Sequence, residues 1–374
     1  MKLAIPKNKE VKREDMNSKG GKHMQKNHLL RKCLAVVIIL LFIGTCIIPA
    51  TSQDIEKPLP TSRGDWLYVG GSGPGNYTRI QDAIDNASNG DTVYVYNGTY
   101  FENVVVDKSI NLIGEEKTTT IIDGINAGFP DFCITIEANN VTVTGLTIQN
   151  CKSTGIYISS DYNIISDNIV VDNSQGIAII GEFGGNIISH NLILNNNKSG
   201  GLIVFGRNNN ISENIVSQSG WYGIYLDNVE YSNISNNIIS GNENGVYTGI
   251  TFHNIFYRNN ISNNKRLGVE IFCTSFDRFI QNTFIGNGRN VYFIQPFLLR
   301  IKYLRILNHN TLQPTVWDGN YWDRQRTMPY PILGLTTLWD YLGRISLTYN
   351  KYLVDSFQVD WHPAQEPYDI PGVS

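Results

Sequence analysis

The chain has 374 residues, 41% of them hydrophobic, which is enough apolar material for a packed interior. Residues 1–32 contain ten Lys/Arg and three Asp/Glu, whereas residues 53–374 contain 20 basic and 30 acidic residues, a net charge of −10. A nucleic-acid-binding surface needs clustered basic side chains to replace the counterions of phosphates, so the acidic body disfavours a nucleic-acid partner.

The first predicted element, residues 1–52, is a signal peptide or an N-terminal anchor. Basic residues precede an apolar run from Cys33 to Ile48, and small residues follow it up to Ser52. A basic start, an apolar run too short for a comfortable membrane span and small residues at its end are typical of a secretory signal. The alternative is that the segment stays uncleaved and anchors the protein, which is then its only expected contact with a membrane. Either way the body is exported, to the cell surface or beyond.

A short helix is predicted at residues 79–88, after a linker at 53–77. Ile80, Ala83, Ile84 and Ala87 follow helical spacing, and Thr78 with Gln81 has the pattern of a capping box. We expect this helix to cover the first coil of the domain that follows, because terminal repeats need caps.

A repeat of about 23 residues organises the centre of the chain. Large apolar residues lie three positions before and two positions after each of a set of asparagines, and a Gly-led apolar strand recurs in every repeat. The asparagines follow one another at steps of 22 or 23 residues: Asn168, Asn191, Asn214, Asn237, Asn259 and Asn282.

This period predicts an all-β fold, a right-handed parallel β-helix with about nine coils. The apolar segments are short, rich in β-branched residues and separated by Asn and Gly, which excludes a helical repeat. Three short strands and three turns fit one coil, and the coils stack at about 4.8 Å. The capping helix and the β-helix together occupy residues 78–295. We expect the asparagines to lie at tight corners in a left-handed or bridge conformation, with their amides bonded to one another along the axis.

Beyond residue 295 the period is lost, and residues 296–374 are predicted to form an aromatic C-terminal cap. Four of the six tryptophans lie there: Trp317, Trp322, Trp339 and Trp361.

Three cysteines follow the leader: Cys133, Cys151 and Cys273. An odd number without close pairs indicates neither a disulfide framework nor a metal site, so stability is expected from packing alone.

Four further motifs carry a family resemblance. They are YTRIQDAI at 77–84, GDTVYVYNGTY at 90–100, INLIG at 110–114 and DGNYW at 318–322, around Asn-x-Ile-x-x-Asn coils from 163 to 287. With these motifs the chain resembles the NosD-like and related right-handed parallel β-helix proteins of prokaryotic, often archaeal, cell surfaces. The resemblance implies the fold; its wider group includes sugar hydrolases, lyases, epimerases, carbohydrate-binding modules and passive surface proteins, so the fold alone does not decide a function.

The candidate ligand face is the Gly-led strand. If Ile156 and Ile158 point inward, the residue between them points outward, and the same position recurs along the rod. Exposed tyrosines on successive coils are suited to lie against a polysaccharide, although strands also favour aromatic residues for structural reasons. The column contains Tyr157, Ala178, Ile203, Tyr225, Tyr247, Glu270 and Tyr292.

Charged residues just after this strand, Asp161, Glu182, Arg207 and Asp227, are predicted to share a second column. Arg207 between carboxylates would lower their pKa values and keep them ionised, which suits ligand binding better than general acid catalysis. We find no catalytic signature of a β-helix hydrolase or epimerase.

No metal and no cofactor are expected. Copper prefers clustered Met, His and Cys, and the exported part has Met328 and four histidines that share no column: His190, His253, His309 and His362. The sequence therefore favours a non-catalytic, exported protein that binds carbohydrate or another extended ligand. The alternatives are a polysaccharide-active enzyme and a purely structural surface component.

Overall fold

The computed structural model describes residues 64–125, 131–272, 274–296, 315–323, 330–337, 353–360, 362–368 and 370. All of them belong to the unit formed by residues 62–374. The predicted leader at 1–52 and the residues Cys273, His309, Met328, Trp339 and Trp361 lie outside the described residues.

Sheet A contains eleven of the described strands. They are β1 (Trp66–Val69), β2 (Thr92–Val95), β5 (Asn111–Gly114), β8 (Thr142–Thr144), β11 (Ile164–Ser166), β14 (Ile187–Ser189), β17 (Asn210–Ser212), β20 (Asn233–Ser235), β23 (Ile255–Tyr257), β26 (Arg278–Ile280) and β29 (Val316–Asp318).

Sheet B contains ten of the described strands. They are β3 (Gly98–Tyr100), β6 (Thr120–Asp123), β9 (Thr147–Gln149), β12 (Ile169–Val171), β15 (Leu192–Leu194), β18 (Ile215–Ser217), β21 (Ile238–Ser240), β24 (Asn260–Ser262), β27 (Thr283–Ile285) and β30 (Tyr321–Trp322).

Sheet C again contains eleven. They are β4 (Val104–Val106), β7 (Ile134–Ile136), β10 (Thr154–Ile158), β13 (Gln175–Ile179), β16 (Gly200–Arg207), β19 (Tyr222–Glu230), β22 (Asn244–Gly249), β25 (Leu267–Phe272), β28 (Arg289–Pro296), β31 (Tyr330–Thr337) and β32 (Leu353–Asp360).

From β2 to β31, successive strands enter sheets A, B and C in turn, so one strand from each sheet makes one coil. The strands pair in parallel, except that β32 runs antiparallel to β31. Ile165, Ile188 and Ile211 are directly in register and have no exposed surface. The prediction of a right-handed parallel β-helix is confirmed, with about ten turns.

The predicted asparagine column is a buried ladder at the corner between sheets A and B. The Nδ2 group of each Asn donates to Oδ1 of the next at 3.0–3.2 Å, from Asn168 to Asn320. The predicted left-handed conformation belongs to the preceding residue instead, for example Asp167 at φ 56° and His190 at φ 58°. The predicted amide ladder exists, but the left-handed residue of each corner lies one position before the asparagine.

Two further ladders line the other corners. The C–A ladder contains Asn163, Asn186, Asn209, Ser232, Asn254 and Asp277. The B–C ladder contains Asn173, Asn196, Ser219, Asn242, Asn264 and Asn287. The ladders therefore satisfy backbone N–H groups that the turns would otherwise leave unpaired in the interior, except at Ser219, whose buried hydroxyl oxygen has no hydrogen-bond partner.

Asp277 ends the C–A ladder as a buried carboxyl group. It accepts hydrogen bonds from the backbone N–H and the Nδ2 group of Asn254 at 2.8 and 3.1 Å, and its Oδ2 lies 2.5 Å from the Thr251 hydroxyl. Burial raises the pKa of Asp277 to about 7, against the lowering effect of these bonds. Below that pH the folded protein holds a proton that the unfolded chain, with an ordinary carboxyl, releases near pH 4.

Stability should therefore fall as the pH rises from about 4 through 7. We expect the free energy of unfolding of the wild type to fall by roughly 2–3 kcal/mol between pH 5 and pH 8. Asp277→Asn, which restores the asparagine of the ladder, should abolish this fall. Guanidinium unfolding at the two pH values measures this difference, with exposed Asp131→Asn as the control. Equal pH dependence in the wild type and Asp277→Asn would contradict the assignment.

Helix α1 (Ile80–Asn86) covers the first coil and buries Ile80, Ala83 and Ile84. The capping box is wrong, because no side chain caps the helix from Arg79, its N-cap residue. The carboxylate of Glu102 does this instead, accepting from the N–H groups of Ile80 and Gln81 at 2.8 and 3.1 Å.

Gln81 instead closes the free edge of sheet C. Its Oε1 accepts from the N–H of Val105 at 2.8 Å, and its Nε2 donates to the carbonyl of Val105 at 3.2 Å. Since β4, which contains Val105, is the first strand of sheet C, this side chain takes the place of a missing strand.

Both ends of the β-helix extend beyond the predicted limits. Strand β1 lies within residues 53–77, the predicted linker, and β29 and β30 lie within 296–374, the predicted cap. Trp317 and Trp322 are buried in the core, where they stack on Phe279 and Phe284 at 4.4 and 4.5 Å. These tryptophans continue the interior columns of sheets A and B.

A disulfide joins Cys133 to Cys151, with the Cα atoms 5.7 Å apart. The expectation of packing without disulfides is therefore wrong. Spacing along the chain did not indicate the pair, because the coil brings residue 151 beneath residue 133 after 18 positions. In the part of the chain that is described, no helix is long and apolar enough to cross a membrane.

Candidate functional site

The predicted outward column of sheet C exists in the predicted register. Tyr157 pairs with Ala178, Ala178 with Ile203, and the register continues to the end of the column at Tyr292. The flanking residues Ile156 and Ile158 are buried, as the alternation of a strand requires. Ala178, however, has no exposed surface, so the column does not form one continuous open face.

Aromatic rings gather on strands β19 and β22. Tyr225 and Tyr247 stack face to face, with ring centroids 4.7 Å apart and planes 9° apart. Tyr222 leans against both, at 5.6 and 5.3 Å. We call Tyr222, Tyr225 and Tyr247 the tyrosine platform. Trp221, which is 65% exposed, extends it at one edge, and Phe205 lies 6.4 Å from Tyr225.

Two carboxylates border the platform. Tyr222 donates its hydroxyl hydrogen to Oε2 of Glu270 at 2.9 Å, and Tyr225 donates to Oδ2 of Asp227 at 3.2 Å. Partial burial, with the adjacent carboxylates, raises the pKa of Tyr222 and raises the pKa of Tyr225 to about 12. Both phenols therefore keep their hydrogens at physiological pH and continue to donate them.

Asp227 does not follow the electrostatic prediction. Burial raises its pKa, and the hydrogen bonds from Tyr225 and Asn228 oppose this effect. Its neighbour in register on the next coil is Gly249, and Arg207 pairs with Glu230 instead. The predicted lowering of the pKa by Arg207 is wrong for Asp227.

The other predicted charges lie apart from this group. Oδ1 of Asp161 accepts from the N–H of Gly184 at 2.7 Å, and Gly184 itself bridges to Arg207. Glu182 is exposed two residues earlier in the turn. Asp161, Glu182, Arg207 and Asp227 therefore do not form the predicted single column. Strand β19 has an extra residue between Leu226 and Val229, opposite Val204 and Gly206 of β16, and this bulge places Arg207 beside Glu230.

Gly249 positions the ring of Tyr247. A methyl group on Gly249 would lie 2.6–2.7 Å from the ring edge and hydroxyl oxygen of Tyr247, closer than carbon atoms approach in proteins. The absent side chain thus lets the ring fold down along its own strand.

The two ends of the column carry separate aromatic contacts. Tyr157 stacks on Phe132 with centroids 4.5 Å apart, and the guanidinium of Arg289 lies 4.7 Å from the ring centroid of Tyr292. Neither contact includes the tyrosine platform.

Sequence reasoning missed Phe132, Phe205, Trp221 and Tyr222. Tyr222 lies in a different outward row, in register with Gly200 and Asn244, so it does not repeat along the chain. The detectable signal was local: Trp221 and Tyr222 come directly before Gly223 of a Gly-led strand.

Comparison with protein families identifies the family to which the chain belongs. Residues 84–267 and 184–326 match the family of the periplasmic copper-binding protein NosD, and together these segments cover more than half of the chain. The chain belongs to the NosD family. This confirms the resemblance drawn from its motifs.

Two relatives share part of this NosD-family chain. A cell surface glycoprotein of Methanothermus fervidus is 29% identical over 147 residues, which cover 39% of this chain and 22% of the glycoprotein. A probable pectinesterase/pectinesterase inhibitor 6 of Arabidopsis thaliana is 29% identical over 131 residues, 29% of this chain and 24% of that protein. The chain thus spans less than a quarter of the length of either relative.

The crystal structure of pectate lyase Pel9A is similar to this NosD-family fold, with a TM-score of 0.50 and 14% identity. The likeness covers 62% of this chain and 75% of the lyase. At this identity it shows the shared β-helix and no more.

The residues do not fit a copper site of the kind named for the NosD family. Nε2 of His190 lies 2.8 Å from Glu213, and Nδ1 of His362 lies 2.9 Å from Asp318. His253 stacks between two aromatic rings, and the described cysteines form the disulfide. In the described ranges, no three His, Cys, Asp or Glu residues come together to hold a metal ion.

Proposed function

We propose that this protein is exported and binds a glycan, without catalysis, along sheet C. The observation that carries the proposal is the tyrosine platform. Stacked and tilted tyrosine rings offer apolar faces with polar edges, which match the C–H faces and hydroxyl groups of sugars. The rings lie on strands of a rigid solenoid, so little conformational freedom is lost when a ligand binds.

Two observations support export to the cell surface. Disulfides such as Cys133–Cys151 form and persist in oxidising environments outside the cytoplasm. A relative of 29% identity is a cell surface glycoprotein. The apolar run in residues 1–52 provides the route, as a signal peptide or as an anchor.

The partner is accordingly a polysaccharide or a glycoconjugate. A nucleic acid is not expected, because residues 53–374 have a net charge of −10. A membrane contact is expected only through an uncleaved N-terminal segment.

Glycan-array binding of the full chain tests the proposal. We expect the double substitution Tyr225→Ala/Tyr247→Ala to weaken binding tenfold or more, since each ring contributes about 0.5–1.5 kcal/mol beyond its buried area. Tyr257→Ala is the matched control, because Tyr257 lies on sheet A, away from the platform. Unchanged binding of the double variant would remove the platform from consideration, and a blank array would favour a purely structural role.

A second candidate is a polysaccharide-cleaving enzyme, and Asp227 is the observation that favours it. A carboxyl with a raised pKa is what a general acid in glycoside hydrolysis requires. Release of reducing ends from the array's best ligand, lost in Asp227→Asn, would support this candidate. Binding without release supports the non-catalytic function.

A further inference from the structure

Two of the three platform tyrosines, Tyr222 and Tyr225, and the carboxylates beside them present hydrogen-bond acceptors at the rim. Tyr222 and Tyr225 have already given their only hydroxyl hydrogens to Glu270 and Asp227. What these four groups can still offer a ligand is the remaining carboxylate oxygens and the lone pairs of the phenol oxygens. A ligand that satisfies them must bring donors.

The charge of the platform has one sign. Strands β19, β22 and β25 contain three charged residues, Asp227, Glu230 and Glu270, and all three are acidic. Glu230 pairs in register with Arg207, which leaves Asp227 and Glu270 beside the rings.

Three basic side chains lie near these strands but not on them. The ammonium of Lys265 is 3.7 Å from Glu243, and the guanidinium of Arg289 lies over Tyr292 on β28. Arg266 is exposed just before β25 begins. None of the three is on the strands that carry the platform.

We propose that the platform selects uncharged or amino-sugar polymers and rejects polyuronates. This inference rests on the proposed function, and it names the class of glycan. A uronate stacked on Tyr225 and Tyr247 would bring a carboxylate toward Asp227 and Glu270, which have the same charge and no hydrogen to donate. A sugar hydroxyl or ammonium group supplies the missing donor, and the ammonium adds an opposite charge.

The inference is tested with pairs of polymers that differ only in their carboxylates. Polygalacturonate and alginate are each compared with the same polymer after reduction of its carboxylates to alcohols, and chitosan is added as the amino-sugar polymer. Affinity electrophoresis of the full chain at low salt gives the dissociation constants. We expect at least tenfold tighter binding of a reduced polymer than of its uronate form, with the gap narrowing as salt is raised.

The double variant Asp227→Asn/Glu270→Gln keeps acceptors for both tyrosines and removes the charge. It should reduce the gap between the two forms to threefold or less, whereas Glu243→Gln, whose carboxylate pairs with Lys265, should leave the gap unchanged. Binding of the uronate form as tight as, or tighter than, the reduced form would overturn the inference.

The failures of the two proposals are distinguishable. If no reduced polymer and no chitosan binds while other glycans bind to the array through Tyr225 and Tyr247, the inference fails and the proposed function stands. If the array is blank as well, the proposed function fails and the inference falls with it.

Discussion

Replacing Asn237 by alanine is expected to lower the free energy of unfolding by about 3–5 kcal/mol. Its side chain donates to the carbonyl of Ile211 and to Oδ1 of Asn259, and accepts from the N–H and Nδ2 groups of Asn214, all without solvent access. Alanine would leave the buried N–H of Asn214 without its acceptor, at a cost of about 1–3 kcal/mol, and would also remove the amide hydrogen bonds to Asn214, Asn259 and Ile211, each contributing about 0.5–1.5 kcal/mol.

Asn233→Ala is the matched control for this substitution. Asn233 belongs to the same coil, four residues earlier, but its half-buried side chain bonds Asn210 and Ser235 on the outer face of sheet A. We expect a change below about 1 kcal/mol for Asn233→Ala in the same guanidinium titration. An equal decrease in the free energy of unfolding for the two variants would show that the buried ladder contributes no more to stability than the outer face does.

Phe279→Ala is expected to cost about 3–5 kcal/mol. The ring of Phe279 has no exposed surface and stacks between Phe256 and Trp317 at 4.2 and 4.4 Å, so its removal leaves a cavity along the axis. Phe272→Ala, a half-buried ring on the outer face of β25, is the control and should cost clearly less.

The loss in Phe279→Ala should also be local. In a solenoid each coil contacts its neighbours, so a defect first weakens the coils around it. Hydrogen exchange should therefore accelerate between residues 255 and 322 before it changes near Ile165 and Ile188. Uniform acceleration along the chain would mean that the solenoid unfolds as one unit.

The fold class was predictable because asparagine recurs at a nearly constant step at one of the three corners. Asn168, Asn191 and Asn214 recur at a constant step, and their burial in one ladder follows from that step alone. The columns of the other two corners are interrupted. Ser232 and Asp277 replace asparagine with another oxygen that accepts the ladder hydrogen bond, whereas the buried hydroxyl of Ser219 has no hydrogen-bond partner.

The end of the solenoid was misplaced for a related reason. Asn282 and Asn320 are neighbours in the ladder but 38 residues apart, because the chain between β28 and β29 is longer than the corresponding connection in the preceding coils. A search for a constant period stops at such a longer connection, although the next coil is present at Trp317 and Trp322.

The candidate site was predictable only in part. Register alone placed Tyr225 above Tyr247, since residues at equal coil positions become neighbours. Tyr222 and the hydroxyl–carboxylate bonds depend on side-chain direction and on local burial, which the repeat does not encode. The same limit explains Ala178, whose row predicts an outward residue that the structure fully covers.

The amide ladder at the A–B corner has a direction. Each Asn gives one Nδ2 hydrogen to the next amide on its C-terminal side and the other to a backbone carbonyl of the preceding coil, so the row of amide-to-amide bonds runs in one direction. The last of them, Asn320, donates to the carbonyl of Phe279 and to Oδ2 of Asp360, which also accepts from the indole of Trp322. An aspartate has no N–H group to pass on. The row of amide donors therefore ends at Asp360, and this side chain offers no hydrogen to a further coil at the corner.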